Sequence, residues 1–365
     1  MFYKGVPSIQ QAAAAVSAQS ALPFISTWKT NNPGLSTSTQ VKLPLAATGT
    51  YNFLVNWGDG TQDTITVWNA AETTHTYAVA GTYIVTITGI FTGFRFAGGG
   101  DRRKLLNISQ FGILRLGANN GRYFEGCNNL TITAVDPLDL IGITNLFKAF
   151  AFCSSLTTAP GLAITDTSNI QSFQNTFELC ILFNENIGNW DVSSGSIFSN
   201  MFIDCNIFNQ NLNSWDVSSG STFSSMFSYC YLFNSPLSNW DVSNATTVYA
   251  MFLDCNSFDQ YLGSWNLGNC TEISFMFYRA YLFKGAGLGN WDIRKVLSAQ
   301  FMFGDVTLPT TNYDSILIGW SALILKTNVP FSAGLSKYSA GAAATARTLI
   351  VSTYNWTITD GGLAP

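Results

Sequence analysis

The chain has 365 residues, 47% of them hydrophobic and only 10% charged, with a formal net charge of −4. Charge this sparse and slightly acidic leaves no basic stripe to neutralise phosphates, which argues against nucleic-acid binding. No run approaches the roughly 20 apolar residues that a bilayer demands, so membrane insertion is not expected. The length suffices for two or three cores, and the surface must be covered by Ser, Thr, Asn and Gly rather than by charge.

Residues 1–22 carry one Lys and a weak Ala-rich run, Ala12 to Ala21, not the compact apolar block of a secretory leader. They read as an N-terminal arm that docks on a neighbour. From 23 to 100 apolar and polar residues alternate with period 2 between turn signals, the pattern of antiparallel strands with one buried face. Tyr51 to Trp57 runs into Gly58-Asp59-Gly60-Thr61, a turn whose glycines tolerate positive φ. His75-Thr76-Tyr77 follows, then Ala80-Gly81-Thr82 and the strand Tyr83 to Thr88. These pieces, a WGDGT turn, an HTY element and a GTYxV strand, resemble the PKD family of immunoglobulin-like sandwiches. The resemblance implies a spacer or adhesion module of extracellular or phage-particle proteins, with Trp57, Gly58, Asp59 and Gly60 forming its turn. Gly98 to Gly100 and the run Asp101-Arg102-Arg103-Lys104 read as an inter-domain hinge with solvated charges.

From 101 to 305 the chain repeats with a period of about 25. Trp190, Trp215, Trp240, Trp265 and Trp291 keep this step, as do Phe177, Phe202, Phe227, Phe252, Phe277 and Phe303. Cys180, Cys205, Cys230 and Cys255 follow three residues after the Phe, and the series extends back to Phe124/Cys127 and Phe150/Cys153. Such a period predicts stacked coils, each supplying a strand and a return segment, with equivalent residues forming inward ladders at about 4.8 Å. Residues 306–365 read as a C-terminal cap: Tyr313, Ile316, Leu317, Trp320 and Leu323 have helical spacing, and an Ala-rich segment precedes a strand over Asn355 to Thr359. The repeat, M-F-x-x-C-x-x-F-N-x-x-L-x-x-W-D-V-S as in Met201 to Ser218, resembles the BspA-like branch of leucine-rich repeats. That resemblance implies adhesins or surface-display proteins of bacteria and viruses. The expected fold is mainly β: an immunoglobulin-like (PKD) β-sandwich, then a leucine-rich-repeat-like β-solenoid with a small α/β C-terminal cap.

The chemistry-bearing residues have structural readings. Six of the seven cysteines share one ladder position, which gives any metal too few ligands and suggests buried reduced thiols; Cys270, on a return segment, is expected to be exposed. Asp191, Asp216, Asp241 and Asp292 form a second ladder, interrupted by Asn266. It would either cap its own turns through Asx-type bonds or bind Ca²⁺, and the turn reading is preferred. The single histidine, His75, lies in the HTY element, and no GxSxG, HExxH, P-loop or GxGxxG context is present. The expectation is therefore a non-enzymatic structural and adhesion protein without cofactor. It would be an exposed virion component such as a capsid decoration, head fibre or tail-associated protein, with its N-terminal part attached to other particle proteins or to copies of itself. The solenoid would bind a host glycan or protein, or stabilise the particle. A bacterial secreted or surface adhesin is the alternative, and a carbohydrate-active solenoid enzyme the third reading.

Overall fold

A computed structural model describes residues 22–365; of the N-terminal arm, 1–22, all but Leu22 lies outside the described residues. The fold is mainly β with few helices. The chain divides into two compact units, the first running to residue 143 with 158–166 added, the second comprising 144–157 and 167–365.

In the first unit the period-2 segments form β1 (Phe24–Lys29), β2 (Gln40–Lys42), β3 (Leu45–Asn56), β4 (Gln62–Ile65), β5 (Thr74–Thr76), β6 (Thr82–Phe94), β7 (Leu105–Gln110), β8 (Leu114–Arg115) and β9 (Thr131–Ile132). One sheet has the order β4-β3-β6-β1-β7-β9, with β8 beside β6, while β2 and β5 pair separately. The antiparallel register sets Val55 opposite Ile87 and Phe53 opposite Gly89. Phe53, Val55, Val85, Ile87 and Phe91 are thereby buried on one face, while Asn52, Leu54, Thr88 and Ile90 alternate outward. Because β7 pairs with β1, the sheet continues past residue 100 and includes segments read as repeat from the sequence.

The charge run after Gly100 is solvated only at Arg103 and in part at Arg102, which corrects the reading of Asp101 and Lys104. Asp101 and Lys104 have fully buried side chains. Lys104 Nζ donates to the carbonyls of Ser36, Thr37 and Gln40 at 3.1, 2.7 and 2.8 Å. The Asp101 carboxylate accepts the Ser36 and Lys42 backbone N–H groups, at 2.9 and 2.7 Å. Burial pushes the Lys104 ammonium down, partly opposed by Asp101. A buried ammonium persists only where oxygens replace its water, and the loop around Ser36 to Gln40 supplies them.

In the second unit each coil departs from the strand expected of it. Between Ile132 and Pro330 there is no strand; adjacent coils meet in isolated parallel bridges, Ser172–Ile197, Ile197–Thr222, Thr222–Thr247, Thr247–Glu272 and Glu272–Ser298. Alternate amides cross to the next coil: Phe198, Asn200, Phe202 and Asp204 donate to the carbonyls of Thr222, Ser224, Met226 and Ser228 at 2.9–3.0 Å. The amides between them turn back three residues, Met201 to Phe198, Ile203 to Asn200 and Cys205 to Phe202. The reason is backbone chirality. Two residues per coil, four apart, hold φ between 52° and 63°, from Lys148 and Phe152 through Asn200 and Asp204 to Phe301 and Asp305. A left-handed residue cannot continue an extended strand and costs about 1–2 kcal/mol without glycine, so each coil is a run of turns whose spare amides serve its neighbour.

The last segment contains α2 (Thr310–Ser321), β10 (Pro330–Ser332), α3 (Ala342–Tyr354) and β11 (Thr357–Thr359), numbered after the single-turn α1 (Pro160–Ala163) of the first unit. It continues the ladder as well as ending it. Ala299 bridges Phe331 in parallel, β10 pairs β11 in parallel, and Tyr338 bridges Leu363. Tyr313, Ile316, Leu317 and Trp320 are the buried side chains of α2.

Candidate functional site

Translation by one coil brings identical rings together. Phe177, Phe202, Phe227, Phe252, Phe277 and Phe303 stack with centroids 5.6–5.8 Å apart and planes within 8°. Trp190, Trp215, Trp240, Trp265 and Trp291 are all buried. Each indole needs an acceptor once desolvated. Trp215, Trp240, Trp265 and Trp291 donate Nε1 to the carbonyls of Ile187, Leu212, Leu237 and Leu262 at 2.8–3.1 Å. Trp320 in α2 makes the same bond to Leu288 at 3.1 Å, so a helix fills the next place in the tryptophan row.

All seven cysteines are free and buried. Cys180, Cys205, Cys230 and Cys255 donate Sγ–H to the carbonyls of Phe150, Phe177, Phe202 and Phe227 at 2.9–3.0 Å. Burial pushes these four thiols well up, away from the reactive thiolate. Cys270 corrects the expectation of exposure: it is buried, and burial, which outweighs the hydrogen bonds at its sulfur, pushes its thiol up to about 11.

Asp191, Asp216, Asp241 and Asp292 each accept, through Oδ1, the backbone N–H two residues on, at 2.9–3.1 Å. Asn266 does the same for Gly268 at 2.9 Å, so the turn needs an oxygen but no charge. Among the described residues no group of three or more His, Cys, Asp or Glu is placed to hold a metal ion. A second Asx row runs between coils: Asn209, Asn234 and Asp259 donate backbone N–H to Oδ1 of Asn184, Asn209 and Asn234 at 2.8–3.0 Å.

In the first unit Trp57, Gly58, Asp59 and Gly60 form the β3–β4 turn. Gly58 has φ 83°, and a Cβ there would lie 2.4 Å from the Ile84 carbonyl. Asp59 meets His75 Nε2 at 2.8 Å and Thr61 Oγ1 at 2.6 Å. Burial raises its pKa, but the hydrogen bonds from Thr61 and His75 prevail and bring it to about 2. His75 stacks on Trp57 at 4.7 Å, and Trp57 Nε1 donates to Asp63 at 2.8 Å. The ring is therefore a strut tying this turn to β5.

Two exposed rows escaped the sequence reading. Just after the cysteine position stand Ile181, Leu182, Ile207, Tyr231, Leu232, Tyr281 and Leu282, all exposed. In the second, exposed Tyr249 and Phe301 and half-buried Phe275 and Tyr278 cluster beside Arg279 and Asp305. The available signal was a break in pattern, since Tyr249, Phe275 and Phe301 occupy repeat positions that are polar or small in earlier coils.

The family described as Mycoplasma protein of unknown function, DUF285, matches residues 120–231, 144–260 and 221–316, which together span 120–316, more than half of the chain. The chain belongs to this family. No curated protein and no solved structure matches it. The DUF285 segments agree with the BspA-like resemblance, and they contain the phenylalanine, tryptophan and cysteine ladders together with the exposed rows. They do not include residues 23–100, nor do they bear on a phage or viral origin.

Proposed function

We propose that this DUF285 protein is a non-enzymatic structural and adhesion protein displayed on a surface. In this reading an immunoglobulin-like PKD module precedes a leucine-rich-repeat-like β-solenoid, and the solenoid presents its outer rows to a host glycan or protein. The observation that carries the proposal is the exposed apolar row after the cysteine position, from Ile181 to Leu282, recurring along the stack. The row is interrupted only after Cys255, where Asn256 and Ser257 stand, and clustered exposed apolar side chains mark interaction surfaces. The chemically capable groups support the same reading, because His75, the cysteines and the aspartate ladder already serve as strut, core and turn.

The BspA-like family weighs towards a bacterial cell surface, and a virion surface is the alternative. Antibody raised against residues 167–365 should label intact cells. Labelling of purified particles instead would select the virion. Labelling that needs prior lysis of either would overturn surface display.

A further inference from the structure

The second exposed row holds a costly arrangement that the core does not require. The first left-handed position of each coil is Lys148, Asn175, Asn200, Ser225 and Ala250 in successive coils, then Phe275 and Phe301, with φ 58° and 54°. Asparagine and serine tolerate this conformation through short polar side chains, whereas a bulky aromatic gains nothing locally from it. Burial recovers only part of that strain, since Phe275 is half-buried, Phe301 is 42% exposed and Tyr249, one row aside, 40%.

The rings nevertheless form a shaped surface. Phe275 lies 5.7 Å from Tyr249, 5.7 Å from Tyr278 and 5.1 Å from Phe301, with planes turned 62°, 55° and 34°. The buried ladders are near-parallel; these rings are tilted against one another. Tyr278 is held against bare backbone, because a Cβ on Gly304 would stand 2.4 Å from its ring. Arg279 lies over Tyr278 at 5.1 Å and pairs with Asp305 at 3.2 Å, and Gln300 is exposed alongside. Burial and the neighbouring Asp305, opposed by Arg279, raise Asp254 on the same row as Arg279.

We propose that Tyr249, Phe275, Tyr278 and Phe301, fringed by Arg279, Asp305 and Gln300, form a binding site for a neutral glycan chain. The ring-to-ring step is close to the length of one pyranose residue, so successive sugars can lay their C–H faces on successive coils, where the negative ring faces attract them. The fringe provides planar donors and acceptors suited to pairs of hydroxyls. A protein partner would be matched better by the aliphatic row of Leu182, Leu232 and Leu282. The site rests on the adhesion reading for its setting alone, since binding by purified protein is independent of where the protein is displayed.

Full-length protein would be titrated calorimetrically with cellohexaose, maltohexaose, xylohexaose, mannohexaose and chitohexaose. At least one should bind, and Phe301→Ala and Phe275→Asn should each weaken it at least tenfold, while Trp68→Ala, an exposed ring of the first unit outside both rows, should not. Phe275→Asn should also melt at or above the wild-type temperature, because asparagine already holds this position at Asn200. The proposal is overturned if no probe binds, if binding survives both variants, or if Phe275→Asn melts well below wild type, which would make the ring structural. None of these results alters the antibody labelling of intact cells or particles, so site and display can fail separately.

Discussion

The two units pack the same side chains differently. In the first, core phenylalanines meet at steep angles: Phe53–Phe91 at 62°, Phe91–Phe94 at 86° and Phe94–Phe96 at 89°. In the second, Phe202–Phe227 lie within 5° and Trp240–Trp265 within 2°. Edge-to-face contact suits the ring quadrupole when positions are free to choose. Translation removes that choice, because a residue and its copy one coil on must share one orientation. The backbones differ in the same way. Extended strands of the first unit pair distant segments, whereas each coil of the second divides its amides between its own turns and the next coil. Repetition thus lets locally strained turns persist, because neighbours supply their hydrogen bonds.

The sharpest way to break this comparison is Trp240→Ala. It deletes a ring stacked between Trp215 and Trp265 and leaves the Leu212 carbonyl with only the Trp215 backbone N–H. A loss of about 3–5 kcal/mol in denaturant unfolding is expected, and a loss under about 1 kcal/mol would show that the stack is not core.

In the first unit, Lys104→Met should cost about 3 kcal/mol, because it leaves the buried Asp101 carboxylate without its ammonium and takes a donor from three loop carbonyls. Hydrogen exchange should quicken around Ser36 to Lys42. Unchanged exchange there would mean that the loop is held by something else.

A smaller effect is expected from acid. Asp59 has its carboxyl lowered to about 2 from an ordinary 3.8, so its contribution is complete above the unfolded value and is lost as pH falls from about 4 through about 2. Asp59→Asn should lower stability at neutral pH by about 1–2 kcal/mol and flatten the acid limb of the stability curve. An unchanged slope between pH 4 and 2 would remove Asp59 from the account.

Least should follow from Asp216→Asn, under about 0.5 kcal/mol, because Asn266 already makes the equivalent turn bond. A calcium-dependent melting temperature abolished by this change would revive the metal ladder.

Several features were legible because their signals are local or repetitive. The 25-residue step showed in Trp, Phe and Cys because identical contacts demand identical residues, and α2 showed because Tyr313, Ile316, Leu317 and Trp320 keep helical spacing. The turn ladder was hidden, since Leu179, Tyr229 and Phe275 give no hint that their φ is positive. Lys104 read as solvated because a charge run states nothing of the carbonyls brought to it from residues 36–40. Cys270 read as exposed because its place in the repeat differs from the other cysteines, although its neighbours bury it.

By itself, then, the amino-acid sequence determined the period, the class of residue at each repeated place, the alternating strands before residue 100 and the β3–β4 turn. These depend on side-chain polarity and on spacing along one chain. Stacking alone settles that the coils are turns rather than strands, that α2 fills a place in the tryptophan row, and that four exposed or half-buried rings from three coils meet. Those outcomes depend on which carbonyl, indole or ring lies one coil away, and that distance exists only once the chain is stacked.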